Sequence, residues 1–249
     1  MIVRLVTAAS IDDLRFEPVH DDRVQAQVRV DLGADLRRLF RAAASGWVGF
    51  DTHAIADGRG GSVIIWPAGA PRILVRRYMR GGLPSRFVRD TYLGFRPRPF
   101  RELSIMKMLY ENGAQVPEPC GAAVQWLFPG CYRGWLATRF IDRAPTLWRW
   151  LRDESPTAEQ RRAVFDELKQ AIRKVRSLGV QHVDLNLHNV LVCLPSNRVV
   201  LIDFDRARQG TRDENDLRAE LKRLRRSAKK LDPDRRVITE KDLLALRAE

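Results

Sequence analysis

The sequence predicts an α+β fold in two lobes, the first small and strand-rich, the second helical. Short strand-like runs divided by Gly and Pro turns occupy residues 62–78 and 122–141, the pattern of hairpins. A capped amphipathic helix follows from Thr157 to Leu178. A polar loop, His182 to Asn189, then leads into two further short apolar runs. The expected divisions are residues 1–45, a segment of unclear role; 46–141, the strand-rich lobe; and 142–249, the helical lobe with a basic C-terminal helix.

Hydrophobic residues make up 45% of the chain, ample for a core at this length. No run of about 18 apolar residues occurs, so no membrane-spanning helix is expected. Met1 to Leu5 is soon followed by Asp12 and Asp13, which does not suit a signal peptide. The cysteines, Cys120, Cys131 and Cys193, lack metal-site spacing, and their odd number suits a reducing compartment. Net charge is +13 and the pI is near 10.4. Such a field favours polyanions: nucleic acid, anionic lipid or a phosphorylated substrate. The charge is concentrated. Arg72 to Arg101 holds nine arginines and one acid, Asp90, and Arg218 to Arg236 holds nine Lys or Arg against Glu220, Asp232 and Asp234.

In chain order, residues 1–45 show only a short helix around Asp35 to Phe40, ending near Gly46. Gly58-Arg59-Gly60-Gly61-Ser62 opens a hairpin of Val63 to Trp66 and Ile73 to Tyr78. Glycines there let backbone amides approach phosphate oxygens, although a Gly-rich turn before a strand also serves simply as a turn. Ser85 to Arg101 interleaves arginine with Phe87, Tyr92, Phe95 and Phe100. That mixture fits either nucleic-acid stacking or a cationic, substrate-facing lip whose aromatics pack inward; the second is the expectation. Phe100 to Tyr110 has helical spacing, with Gly113 as its stop. Glu102, in its first turn, either complements the helix dipole or pairs with a basic residue of the preceding strand.

Val116-Pro117-Glu118-Pro119 is a rigid loop, and a hairpin follows around Pro129-Gly130. The link between lobes is expected near Arg139 to Asp142. Thr146 to Leu151 reads as a short helix whose tryptophans pack. Thr157-x-x-Gln160 is a capping box, and Val164, Leu168, Ala171, Val175 and Leu178 form one apolar stripe ending at Gly179. In the tail, Leu217, Leu221, Leu224, Ala228 and Leu231 recur on one face of a helix whose other face is basic. That face suits a solvated surface equally with a membrane surface.

The chemistry concentrates in His182 to Val192 and Val199 to Asp205. Asp184 and Asn189 share one loop, and Asp203 follows a β-branched strand. Alone, each is an ordinary turn residue. Together, two carboxylates and an amide carbonyl can hold Mg²⁺ through oxygen and orient a hydroxyl for phosphoryl transfer. The stretch resembles the protein-kinase catalytic loop, H-R-D-x-x-x-x-N, followed by D-F-G. The helix-then-loop order is also that of a kinase.

More narrowly, the chain resembles the bacterial lipopolysaccharide-core sugar kinases, and most of all the 3-deoxy-D-manno-octulosonic acid (Kdo) kinases. The matching pieces are Gly58-Arg59-Gly60, Val75 to Gly82, Phe100-Arg101-Glu102, Asp184 to Asn189, and Leu201 to Arg206. They cover residues from about 45 to 230. The resemblance implies a protein-kinase-like fold and transfer of the ATP γ-phosphoryl group to a Kdo hydroxyl, O4, on a lipid A precursor. It implies Asp184 as catalytic base and Asn189 and Asp203 as Mg²⁺ ligands. Gly58, Gly60, Gly61, Arg76 and Glu102 would serve the nucleotide, with Arg77 the rival of Arg76 as phosphate anchor. The enzyme would sit peripherally on the anionic cytoplasmic face of the inner membrane. Departures from ordinary protein kinases are Asn186 and His188 for lysine and glutamate, Asp205 for the D-F-G glycine, and no A-P-E element. These suit a small or lipid-linked acceptor. A heptose or other small-molecule kinase is the alternative within the superfamily. A nucleic-acid-binding module on a degenerate kinase fold is the alternative outside it. The intact Asp184, Asn189 and Asp203 set argues against that module, so no specific nucleic acid is expected. No protein partner is indicated.

Overall fold

The structure is a computed structural model that describes residues 14–21, 24–46, 52–54, 62–65, 72–79, 90–210 and 214–246. The chain folds as two compact units, one of Met1–Leu103 with Pro119–Thr138, the other of Ser104–Glu118 with Arg139–Glu249.

The first unit is built on one sheet. Its strands are β1 (Phe16–Asp21), β2 (Val24–Arg29), β3 (Thr52–Ala54), β4 (Ser62–Ile65), β5 (Ile73–Arg77), β6 (Tyr92–Leu93), β7 (Pro119–Phe128) and β8 (Cys131–Arg139). Their order is β1-β2-β7-β8-β5-β4-β3, with β6 paired to β8. Residues 16–44, in which only a short helix was expected, supply two edge strands and helix α1 (Gly33–Ala44). The reason is legible in hindsight. Val24, Ala26 and Val28 alternate with polar residues, the period of a half-buried strand. Leu36, Leu39, Phe40 and Ala43 follow helical spacing, and all four are buried against Val28, Val75 and Trp135. At Gly121 an added Cβ would lie 2.7 Å from the Gln27 carbonyl oxygen, so β2 and β7 close up only with glycine there.

Strand alternation decides what β5 presents. Ile73 and Val75 enter the cluster under α1, which sends Arg76 to the opposite face. There it meets Glu102 of α2 (Arg98–Glu111), just past the helix's first turn. That turn is seated on β8: a Cβ at Gly134 would strike the Pro99 ring at 2.4 Å, and the Arg98 N–H donates to the Tyr132 hydroxyl at 3.0 Å.

The second unit contains α3 (Leu147–Asp153), α4 (Ala158–Ser177), α5 (Glu214–Leu231) and α6 (Glu240–Ala245), with short strands β9 (Val180–Gln181), β10 (Val190–Cys193), β11 (Arg198–Leu201) and β12 (Arg208–Gln209). The capping box of α4 forms as expected, Thr157 with Gln160. Its stripe residues Val164, Leu168, Ala171 and Val175 are buried, and Gly179 after it takes φ +75°. β10 pairs β11 with Val190 opposite Leu201, and β9 pairs β12. Among the described residues no helix is long and apolar enough to cross a membrane.

The N-terminal elements are part of the core, and this is measurable. Phe40 is 1% exposed, so Phe40→Ala is expected to cost about 3–5 kcal/mol of unfolding free energy in urea titration. A change near zero would mean that α1 does not pack on the sheet.

Candidate active site

Two sets of polar side chains carry the candidate chemistry, one in each unit. In the first, the Arg76 guanidinium donates through Nη2 to both Glu102 carboxylate oxygens, at 2.8 and 2.6 Å. The Tyr78 hydroxyl donates to the same carboxylate, and the Arg76 guanidinium lies 4.7 Å from the Tyr78 ring centroid. Glu102 is fully buried, whereas the Arg76 side chain is 29% exposed. A buried carboxylate needs partners to remain ionised, and here it has a cation and a hydroxyl. The helix-dipole role weighed for Glu102 is therefore secondary to its pairing with β5. Arg77 points the other way and pairs with Asp90, which also receives Arg133 at 3.0 Å. Burial and the neighbouring Arg133 hold the Arg77 guanidinium below its ordinary pKa. Gly58, Gly60 and Gly61 lie outside the described residues.

In the second unit one loop organises the set. The Asp184 carbonyl oxygen accepts from the side-chain amides of Asn186, at 2.8 Å, and Asn189, at 2.9 Å. Asn186 Oδ1 also accepts from the His188 N–H at 2.9 Å, an Asx-type turn built by the residue that stands where protein kinases have lysine. The bond from its amide nitrogen to Asp184 fixes the Asn189 side chain. The Asp184 carboxylate is 45% exposed, with Arg206 Nη1 at 3.3 Å. The next segment is tied in through Ile202, whose N–H donates to the Asn189 carbonyl at 3.0 Å. Asp203 follows with φ +67°, a left-handed backbone that costs an L-residue free energy and persists where the surroundings enforce it.

Those surroundings are His182, Phe204 and Glu220. His182 Nε2 lies 2.9 Å from the Ile202 carbonyl, which can only accept, so Nε2 carries the proton. Its ring packs 4.7 Å from that of Phe204. From α5, Glu220 accepts the His182 backbone N–H at 2.7 Å, with Arg176 of α4 3.6 Å away. The Ser227 hydroxyl, about two turns further along α5, accepts from the Leu187 N–H at 3.4 Å. The basic C-terminal helix is thus spent on its inner face: Leu221, Leu224 and Ala228 are buried with Glu220, leaving only its cationic arc to solvent.

A family model described as "Lipopolysaccharide kinase (Kdo/WaaP) family" matches residues 56–249. The chain belongs to the lipopolysaccharide kinase (Kdo/WaaP) family. Among similar proteins is the "3-deoxy-D-manno-octulosonic acid kinase" of Pasteurella multocida, 36% identical over 137 residues, 53% of this chain and 55% of that protein. The protein of the same description from Vibrio vulnificus strain YJ016 is 35% identical over 187 residues, 70% of this chain and 72% of that one. That from Xanthomonas euvesicatoria pv. vesicatoria is 34% identical over 211 residues, 81% of each. With the first of these the match thus spans little more than half of the relative's length. Among solved structures, "WaaP in complex with acyl carrier protein" superimposes with a TM-score of 0.56 at 15% identity, covering 85% of this chain and 83% of that one. The two share a fold, in this chain a strand-rich unit and a helical one.

For a Kdo/WaaP family member, the structure brings the expected residues together in two groups, Arg76 with Glu102 and Asp184 with Asn189 beside Asp203. Sequence reading missed Glu220, His182 and Arg206 as site residues. Glu220 had a signal: it lies three residues after Leu217 and four before Leu224, on the apolar stripe of α5, where a charge has to be bonded. Among the described residues no three His, Cys, Asp or Glu gather into a metal cage. One carboxylate and one amide oxygen, as in Asp203 and Asn189, instead suit a hard cation that keeps waters and phosphate oxygens as its other ligands.

Burial pushes the Glu220 carboxyl up to about 7, against the opposing pull of the His182 N–H and Arg176. Because its folded pKa exceeds the unfolded one, stability from this group declines as pH rises from about 4.5 to about 7. His182 has the opposite sign. Burial depresses its pKa, so its contribution declines as pH falls below about 6.5. The two slopes offset each other in the wild type. Glu220→Gln keeps an acceptor for the His182 N–H and removes one slope. Its melting temperature is expected to fall more steeply than that of the wild type between about pH 6.5 and 5. Parallel pH profiles would remove Glu220 from this account.

Proposed function

We propose that the chain is an ATP-dependent kinase that phosphorylates a Kdo hydroxyl, O4, on a lipid A precursor in lipopolysaccharide core biosynthesis. The observation that carries this reading is the Asp184–Asn189 loop: a half-exposed carboxylate on a hydrogen-bonded turn, with the segment leading to Asp203 tied to Asn189 by the Ile202 N–H. The family membership and the Kdo kinases among the similar proteins support that acceptor class.

Asp184 would accept or orient the acceptor hydroxyl proton. Phosphoryl transfer asks the protein mainly for positioning and charge stabilisation, and the turn bonded at the Asp184 carbonyl supplies the positioning. Asn189 Oδ1 and the Asp203 carboxylate would hold Mg²⁺, which when bound offsets phosphate charge. Arg206, beside Asp184, would bring a cation to the side of the loop where Asn186 replaces lysine. Arg76, fixed by Glu102 and Tyr78, would bind nucleotide phosphates as a planar fork, where a lysine would act as a point charge. Gly58, Gly60 and Gly61 would cover the same phosphates. The protein would work peripherally on the cytoplasmic face of the inner membrane, held by charge to anionic lipid.

Mass spectrometry of a Kdo-lipid A precursor incubated with enzyme, ATP and Mg²⁺ is expected to show one added phosphoryl group on Kdo. Phosphate on a heptose alone would reassign the acceptor, and no transfer to any core sugar would overturn the reading. Asp184→Asn keeps shape and removes basicity. It is expected to lower kcat by about 10²–10⁴-fold with ATP affinity and melting temperature little changed. If Asp184 only buttressed the loop, the Asn variant would retain turnover and lose stability instead.

Asp203→Ala tests the metal reading. Turnover is expected to be lost while the fold is retained, and Mg²⁺-dependent nucleotide binding should weaken in calorimetry. Normal turnover at ordinary Mg²⁺ would remove Asp203 from the ligand set.

A further inference from the structure

Phe95, expected to pack inward with the other aromatics of the arginine-rich segment, is 80% exposed. Two more large apolar side chains stand at the same end of the sheet, Leu93 at 73% and Phe128 at 59% exposure. Single exposed hydrophobics are commonplace, whereas a contiguous group marks an interaction site. Here the topology makes the group contiguous. Leu93 of β6 pairs with Cys131 of β8, the Gly94 N–H donates to the Gly130 carbonyl at 2.8 Å, and Phe128 is registered on Cys131 across the β7–β8 turn.

The group is also held in place. Gly130 has φ +77°, and a Cβ on it would lie 3.1 Å from the Phe95 ring. Phe95 therefore rests on a glycine platform instead of waving free. Beneath it the sheet end is braced by aromatics, with Tyr92 and Tyr132 stacked at 5.9 Å and Trp126 edge-on to Tyr132 at 5.5 Å.

The surrounding charge has one sign. From Thr91 to Arg101 and from Trp126 to Gly134 there is no Asp or Glu, while Arg96, Arg98, Arg101 and Arg133 fall within those stretches. Arg96 and Arg101 are exposed. Asp90 is the nearby acid, and it is engaged by Arg77 and Arg133.

We infer that the tip formed by Leu93, Phe95 and Phe128 inserts into an anionic lipid bilayer, with the flanking arginines on the headgroup phosphates. Aliphatic and aromatic side chains ringed by arginine match the interfacial layer of a membrane, where apolar groups reach the acyl boundary and guanidiniums remain with phosphate. A nucleic acid would be served by the arginines and the rings, but it offers nothing for Leu93. The basic arc of α5 cannot do the same work, because the apolar face of that helix is already packed inside its own unit. This inference rests on the peripheral-membrane part of the proposed function and assigns it a place.

The test is sedimentation with vesicles of phosphatidylcholine alone and with phosphatidylglycerol added, over a salt series. The proteins are the wild type and the double variant Leu93→Ser/Phe95→Ser. Both positions are exposed, so an unchanged melting temperature is expected. The wild type should bind the anionic vesicles and retain part of that binding at high salt. The double variant should bind at least about tenfold more weakly, and what remains should vanish as salt rises. Wild-type binding that the variant reproduces at every salt would overturn the tip while leaving a membrane role by other cations. Absence of wild-type binding to anionic vesicles would overturn both. Phosphorylation of a water-soluble Kdo acceptor, expected to be equal for the two proteins, separates either failure from that of the kinase reading.

Discussion

Glu102 and Glu220 are both fully buried, and an ionised carboxylate is retained inside a protein only when cations and hydrogen-bond donors face it. That constraint shapes both units. Glu102 draws Arg76 and Tyr78 of one strand region onto α2, just past its first turn. Glu220 draws His182, at the head of the Asp184–Asn189 loop, onto α5, with Arg176 behind it. In each case a buried carboxyl on a helix ties down a strand or loop segment beside it. Replacing either pair by apolar residues could match its stability, but it would not set the same backbone position.

The second anchor adds polar bonds to the buried Leu185, Leu187 and Phe204 in holding Asp203 at φ +67°. His182 is fixed from both sides, by Glu220 at its N–H and by Ile202 at its ring. Ile202 in turn is bonded to Asn189, and Asn189 to Asp184. The three candidate residues thus belong to one chain of bonds that begins on α5.

What could be read from the sequence was local. Asp184 and Asn189 stand in one loop, so their spacing alone carried their association. The α4 capping box and its Gly179 stop are likewise short-range. What could not be read depended on which face a residue takes or on a distant partner. Arg76 and Arg77 are chemically equal on the page; only the packing of Ile73 and Val75 under α1 sends Arg76 to Glu102. Glu220 read as one acid in a basic run until His182, 38 positions earlier in the chain, gave it a donor. Phe95 was expected inside because aromatics usually bury area, yet the inner positions at that sheet end are filled by Tyr92, Tyr132 and Trp126. The strands before α1 are different: Val24 to Val28 carry a period-2 signal, short and without accompanying chemistry.

The role of residues 16–44 follows from the same geometry. The family match begins at residue 56, after β1, β2 and α1. Yet β5, the strand that carries Arg76, is buried on its other face by Leu36, Leu39 and Phe40 of α1. A strand fixed on both faces has little freedom to twist or slip in register. Without α1, Val75 and Trp135 would face water, and Arg76 would be held by its ion pair alone. An ion pair at a partly exposed guanidinium is worth far less than a packed face. The segment that shows no chemistry of its own therefore sets how rigidly the candidate phosphate-binding arginine is presented.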